Sequence, residues 1–184
     1  MIYPVDLRTV GFVVGGALLA AHLLALLQMK DCGRWLKAFP RSRAAGTVLV
    51  VVAGVWSFLL LLHMDLGEFV RLRNIMLGAV VVGTFLAWRY VEEFLAVRAL
   101  GMLALLAAEP VLEATFLRPE QTRLLLVFLA YAWIVLGLFW VGMPWMLRDQ
   151  IAWLTAQKVR LTAAVWGGIL YGAIVLLCAA LLWK

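Results

Sequence analysis

The sequence predicts an all-α, polytopic transmembrane bundle, a single domain over 1–184 with six spans. Three observations carry that reading. The chain is 66% hydrophobic and 14% charged with a mean hydropathy of +1.03, whereas a soluble domain averages nearer half apolar and a quarter charged. A soluble chain of this size still exposes about a third of its unfolded surface, so one core cannot hide the excess. The apolar runs are continuous rather than alternating, which favours helices over a barrel once every backbone N–H and C=O must be paired in lipid. Finally, the sixteen Lys and Arg residues sit almost entirely between the runs. In a soluble protein the net charge of +6 would point to nucleic acid. Here it reads as topology signals and headgroup contacts, with no nucleic-acid partner.

The first run, 9–29, is too long for a signal-peptide core and is followed directly by Lys30, so it should stay as an anchor. Gly11 and Gly15 make one GxxxG within it, a pattern that lets helix backbones approach in lipid. His22, eight residues before Lys30, is expected to be packed and hydrogen-bonded, with haem or quinone ligation as the lesser reading. It lies ~12 Å from the connector while His63 lies ~30 Å up the next run, so the two differ by ~18 Å in depth and should not share an iron. The connector 30–43 carries Lys30, Arg34, Lys37, Arg41 and Arg43 against one acid, Asp31. It should be cytoplasmic, with the N-terminus outside, in a bacterial inner (plasma) membrane. Within it Lys30, Arg34 and Lys37 share one helical stripe, with Trp35, Leu36 and Phe39 away from it. This suits an interfacial helix on anionic lipid headgroups that Pro40 should stop.

Runs 45–64 and 74–91 give two further spans, each near the ~20 residues a crossing needs. The stretch 99–117 is less regular. Its uninterrupted apolar part ends at Ala108, and Glu109-Pro110 then breaks it. It either crosses, holding Glu109 and Glu113 in or near the membrane, or lies re-entrant or interfacial, leaving five spans. Charge counting gives ten cytoplasmic Lys and Arg either way. An internal similarity favours six. Met29-Lys30-Asp31 with Trp35-Leu36 and Ala38 matches Leu147-Arg148-Asp149 with Trp153-Leu154 and Ala156. A parallel hairpin repeat, 9–64 and 123–183, puts both copies on one side of the membrane. Runs 123–146 and 161–183 complete the set, and Ala164, Gly168 and Gly172 form a small-residue stripe in the last.

Chemistry-bearing motifs are few. The only serines, Ser42 and Ser57, sit in no nucleophile elbow, and neither a Walker loop nor a dinucleotide fingerprint occurs. Neither His follows a Glu-x-x spacing, and Cys32 and Cys178 make no disulfide framework. The chain is not expected to be an enzyme or to hold a cofactor of its own. The candidate ion-pair or transport residues are Arg89, Glu92, Glu93, Arg98, Glu109 and Glu113. Arg89 and Glu93, four apart, would pair on a continuous helix. Glu109 and Glu113 would share a face, repelling unless protonated, cation-bound or paired with Arg. The plainer reading makes 89–98 a cytoplasmic turn and ends the next helix at Pro110, leaving every charge wet.

The preferred function is a non-catalytic subunit or scaffold of a larger membrane assembly, docking through small-residue faces and intramembrane charges onto other membrane subunits or further copies of itself. A small homo-oligomeric proton- or ion-coupled transporter or channel is the alternative, and a haem- or quinone-associated electron-transfer subunit the third. Arg outnumbers Lys twelve to four, as in GC-rich bacterial genes.

Overall fold

The computed structural model describes residue 3, residues 5–91 and residues 93–183. Among these the chain is 88% helical without strands. Six helices are long and apolar enough to cross a membrane: α1 (Leu7–Leu27), α3 (Arg43–His63), α4 (Arg73–Tyr90), α5 (Leu95–Thr115), α6 (Leu124–Gly142) and α8 (Lys158–Leu181). Two shorter helices, α2 (Met29–Ala38) and α7 (Trp145–Thr155), lie in the connectors that follow α1 and α6.

Local chemistry sets the boundaries. Pro40 stops α2, which gives way to a 3-10 turn at Phe39–Arg41. The Ser42 hydroxyl then accepts from the Ala45 N–H at 3.2 Å as the N-cap of α3. At the α3–α4 reversal Asp65 accepts from the Gly67 N–H at 3.0 Å, and Gly67 takes φ +51°, a left-handed value that glycine adopts without penalty.

The re-entrant alternative for 99–117 is not what forms. α5 starts four residues earlier, at Leu95, and continues through Pro110 to Thr115. Pro110 removes only one backbone bond, to the carbonyl of Leu106, and the helix tolerates that as membrane helices do. Glu109 therefore lies ~21 Å along α5 and ~9 Å from its far end, in the outer third rather than near the midplane.

α5 is the hub. It packs antiparallel on α6 and parallel on α3, and also touches α1; α3 carries α4 on its other flank, and α1 pairs with α8. The main core joins Val10 and Val14 of α1, Ala108 and Val111 of α5, Leu126 and Ala130 of α6, and Val175 and Ala179 of α8. Four crossings separate α2 from α7, so both lie at the same end of the bundle, where they touch; Gly33 faces the Thr155 methyl. Leu36, Phe39, Leu147 and Ile151 close that end over Val97.

Candidate functional site: the carboxylate groove on α5

Helical spacing sets the site. Leu105, Ala108, Glu109, Leu112, Glu113 and Phe116 recur at three and four residues along one face of α5. With Ile134 of α6 they line a groove of about 600 Å³ on the flank of the bundle. Glu113 is engaged from within the chain: its carboxylate accepts the Tyr3 backbone N–H at 3.0 Å. The Tyr3 hydroxyl in turn accepts the indole N–H of Trp56 at 2.7 Å, so the N-terminal segment ties α5 to α3. Arg118 and Asp6 close the same end with an ion pair at 2.8 Å. Glu109, one turn deeper, is half-buried, and among the described residues it has neither a hydrogen bond nor an ion pair.

The other charged candidates lie elsewhere. α4 ends at Tyr90, so Arg89 and Glu93 do not share a helix, and among the described residues no ion pair joins them. The Arg89 guanidinium instead lies 5.7 Å from the Tyr90 ring centre. Glu92 falls outside the described residues. Arg98, in the first turn of α5, donates to the Val141 carbonyl at 2.9 Å and so satisfies the C-terminal end of α6. Its buried Nε has no partner among the described residues.

Arg98 belongs to a recurring device that sequence reasoning missed. Arg73 donates to the Met64 carbonyl after α3 at 2.9 Å, and Arg123 to the Thr115 carbonyl at the end of α5 at 2.7 Å. Helix C-termini leave carbonyls unpaired, and a forked guanidinium reaches them from a neighbouring element. Spacing alone gives no signal, because the partners are 8, 9 and 43 residues apart.

Gly11, Gly15, Gly168 and Gly172 all lie in the α1–α8 seam. A Cβ on Gly15 would stand 3.1 Å from the Gly172 carbonyl, and one on Gly172 2.9 Å from the Leu19 nitrogen. Gly168 makes room for the His22 ring, whose Nδ1 meets the Leu18 carbonyl at 2.7 Å. His63 sits at the opposite end of the bundle, exposed, with Nδ1 on the Leu59 carbonyl at 2.8 Å, so the two rings are far apart in depth. Ala164 is exposed and outside the seam. A further close backbone seam, away from α1 and α8, was not legible in the sequence. Gly101 and Gly137 face each other across α5 and α6, each added Cβ falling 2.8–2.9 Å from the other's carbonyl. Each is a single glycine in a bulky run, so a small-xxx-small search passes over both.

On α2, Lys30, Arg34 and Lys37 are exposed, Arg34 pairs with Asp31, and Trp35 projects outward while Leu36 and Phe39 turn toward the bundle. On α7 Trp153 is likewise exposed, stacked beneath the Arg160 guanidinium at 4.6 Å. No family model matches this sequence, and neither a curated protein nor a solved structure is detectably similar to it.

Proposed function

We propose that this chain is a non-catalytic integral membrane subunit that docks on another membrane-embedded helix through the α5–α6 groove, with Glu109 as the recognition charge. The observation that supports this is the position of Glu109: about 9 Å inside the helix end by the ~1.5 Å rise per residue, unpaired among the described residues, and facing a groove on the flank. An ionisable group at that depth is costly without a partner. A helix bearing a basic or hydrogen-bond-donating side chain at matching depth supplies one. Ten Lys and Arg lie at the α2–α7 end by sequence and six at the other. That end is therefore cytoplasmic in the proposed topology, the N-terminus lies outside, and the membrane is a bacterial inner membrane.

The test is a photo-crosslinking side chain at Leu105 or Leu112, compared with one at Gly78 on α4, in native membranes. We expect a discrete adduct from the groove positions only. It should persist in Glu109→Gln, which keeps a hydrogen-bonding group, and be lost in Glu109→Lys, with Glu68→Lys on an exposed loop as the control. Equal adducts from α4 would remove the groove as the docking face. The second reading, proton- or cation-coupled transport by a homo-oligomer, draws on Glu109 and Glu113 sharing that groove. It is favoured if purified chain in proteoliposomes carries a flux that Glu109→Gln abolishes.

A further inference from the structure

At the α2–α7 end, a polar pocket and an apolar groove lie side by side between α3 and α4, with Trp88 lining both. The pocket, about 290 Å³, is lined by Arg43, Thr47, Trp88, Arg89, Val91 and Leu95. The groove, about 430 Å³, lies beyond it toward the middle of the bundle between Val51, Val55 and Phe58 of α3 and Val81, Phe85 and Trp88 of α4. The groove falls within the ~300–1,000 Å³ of small-molecule sites and the pocket sits at the lower edge of that range.

The arrangement follows from residue order along the two helices. On α3, Arg43 and Thr47 line the pocket, and Val51, Val55 and Leu59 line the groove deeper along the same helix. On α4, Arg89 with Trp88, then Phe85, then Val81 descend from the same end. Each helix thus presents a cation at its connector end and aliphatic or aromatic side chains below it. From Arg43 to Leu59 is ~24 Å at ~1.5 Å per residue, long enough to follow one chain through the ~15 Å hydrocarbon half-thickness of a leaflet. Trp88 stands at the boundary, where an indole prefers the headgroup layer. Phe85 packs beside it with ring centres 5.9 Å apart.

We infer that this is a binding site for a phospholipid with an anionic headgroup: its phosphate lies between the Arg43 and Arg89 guanidiniums with Thr47 as a further donor, and one acyl chain lies in the α3–α4 groove. Charge complementarity chooses the anionic headgroup, since guanidiniums recognise phosphate through paired N–H donors. Arg43 is also engaged within the chain, and the site uses its charge rather than a vacancy. The apolar groove beside the pocket, with Trp88 lining both, chooses a lipid over a soluble phosphate. The site is built chiefly on α3 and α4, meets α5 only at Leu95, and lies at the other end of the bundle from the carboxylate groove, so it stands independently of the docking reading.

The experiment uses the full chain, purified in mild detergent, stripped of native lipid and titrated with phosphatidylglycerol or phosphatidylcholine of identical acyl chains, bound lipid being counted by native mass spectrometry. One phosphatidylglycerol should be retained in preference to phosphatidylcholine. Near-surface cations contribute roughly 1 kcal/mol each, so Arg89→Gln should weaken retention about fivefold and Arg43→Gln with Arg89→Gln about twenty-five-fold. Arg89→Lys should weaken retention less than Arg89→Gln, because the charge remains while the paired N–H donors are lost. Val81→Trp, at an exposed position, should block the groove and lose the lipid with both arginines intact, while circular dichroism and elution volume stay unchanged. Lys30→Gln with Arg34→Gln and Lys37→Gln should leave this lipid in place. Equal retention of the two lipids, or full retention by the double arginine variant, overturns the site. So does displacement by millimolar glycerol phosphate, which would make it a soluble-anion pocket, or a dimer in which a second copy of α4 fills the groove.

Discussion

α4 and α5 follow each other in the chain, are of similar length and overall hydropathy, and each carries an arginine near the α2–α7 end. Yet 39% of the most apolar stretch of α5 is buried and none of that of α4. The buried residues of α5 are mostly small: Ala96, Ala99, Gly101, Ala108 and Ala114 beside Val97 and Val111. α4 has small residues too, Gly78, Ala79 and Gly83, but neither glycine meets a neighbour within 4 Å. The comparison teaches that hydropathy does not choose the hub of a membrane bundle. Lipid tails are as apolar as Leu, so nothing drives a helix inward on that account. The hub is the helix whose small residues match those of its neighbours at the same depth.

That contrast can be broken most sharply at the glycines. Gly101→Leu places side-chain atoms where a Cβ alone would be 2.8 Å from the Gly137 carbonyl. We expect a loss of about 3 kcal/mol in a reversible unfolding titration in detergent, with aggregation on size-exclusion chromatography. Arg98→Ala should come next, at about 2 kcal/mol, because it leaves a buried carbonyl at the end of α6 without its charged donor. Arg89→Ala on α4, measured in the same titration, should cost less than about 1 kcal/mol, the scale of an exposed cation–π contact.

Gly54→Leu probes the one seam that α4 has. A Cβ there would lie 2.5–2.6 Å from the Thr84 side chain. A single peripheral helix can shift to accommodate the larger group, so about 1 kcal/mol is expected, with increased proteolysis of the 64–72 loop as the readout. The smallest effect belongs to Gly78→Leu and Gly83→Leu, within about 0.5 kcal/mol of the parent. If these match Gly101→Leu, α4 has a partner surface after all and the ranking of the two helices fails.

Five of the spans, the basic amphipathic connector 30–43 and the stop at Pro40 could be read from periodicity and charge. So could the face of α1 that carries Gly11 and Gly15. The sixth span rested on the internal similarity between 29–38 and 147–156. The centrality of α5 could not be read. Its run is interrupted by Glu109 and Pro110, and a rule based on uninterrupted length penalises the features a packed helix tolerates. The hydrogen bonds that fix the carboxylate end were also out of reach. Tyr3 meets Glu113 across 110 residues, and Asp6 meets Arg118 across 112. No local pattern encodes pairs that distant. The Arg89–Glu93 pairing failed for the opposite reason: it assumed a helix continuing where Val91 and Phe94 leave helical geometry, Phe94 at φ +55°.

The α1–α8 seam has a consequence in time. α1 begins at Leu7 and α8 at Lys158, so its partner emerges only after about 150 further residues have been made. At roughly 5–20 residues per second, synthesis of that stretch takes about 8–30 s. Throughout that interval Gly11 and Gly15 face lipid or the insertion machinery instead of Gly172 and Ala179. A substitution in α8 that spoils the seam therefore leaves α1 in its waiting state. Its signature should be prolonged residence of α1 at the insertion site, seen in a pulse-chase of nascent chains before any defect shows in the finished protein.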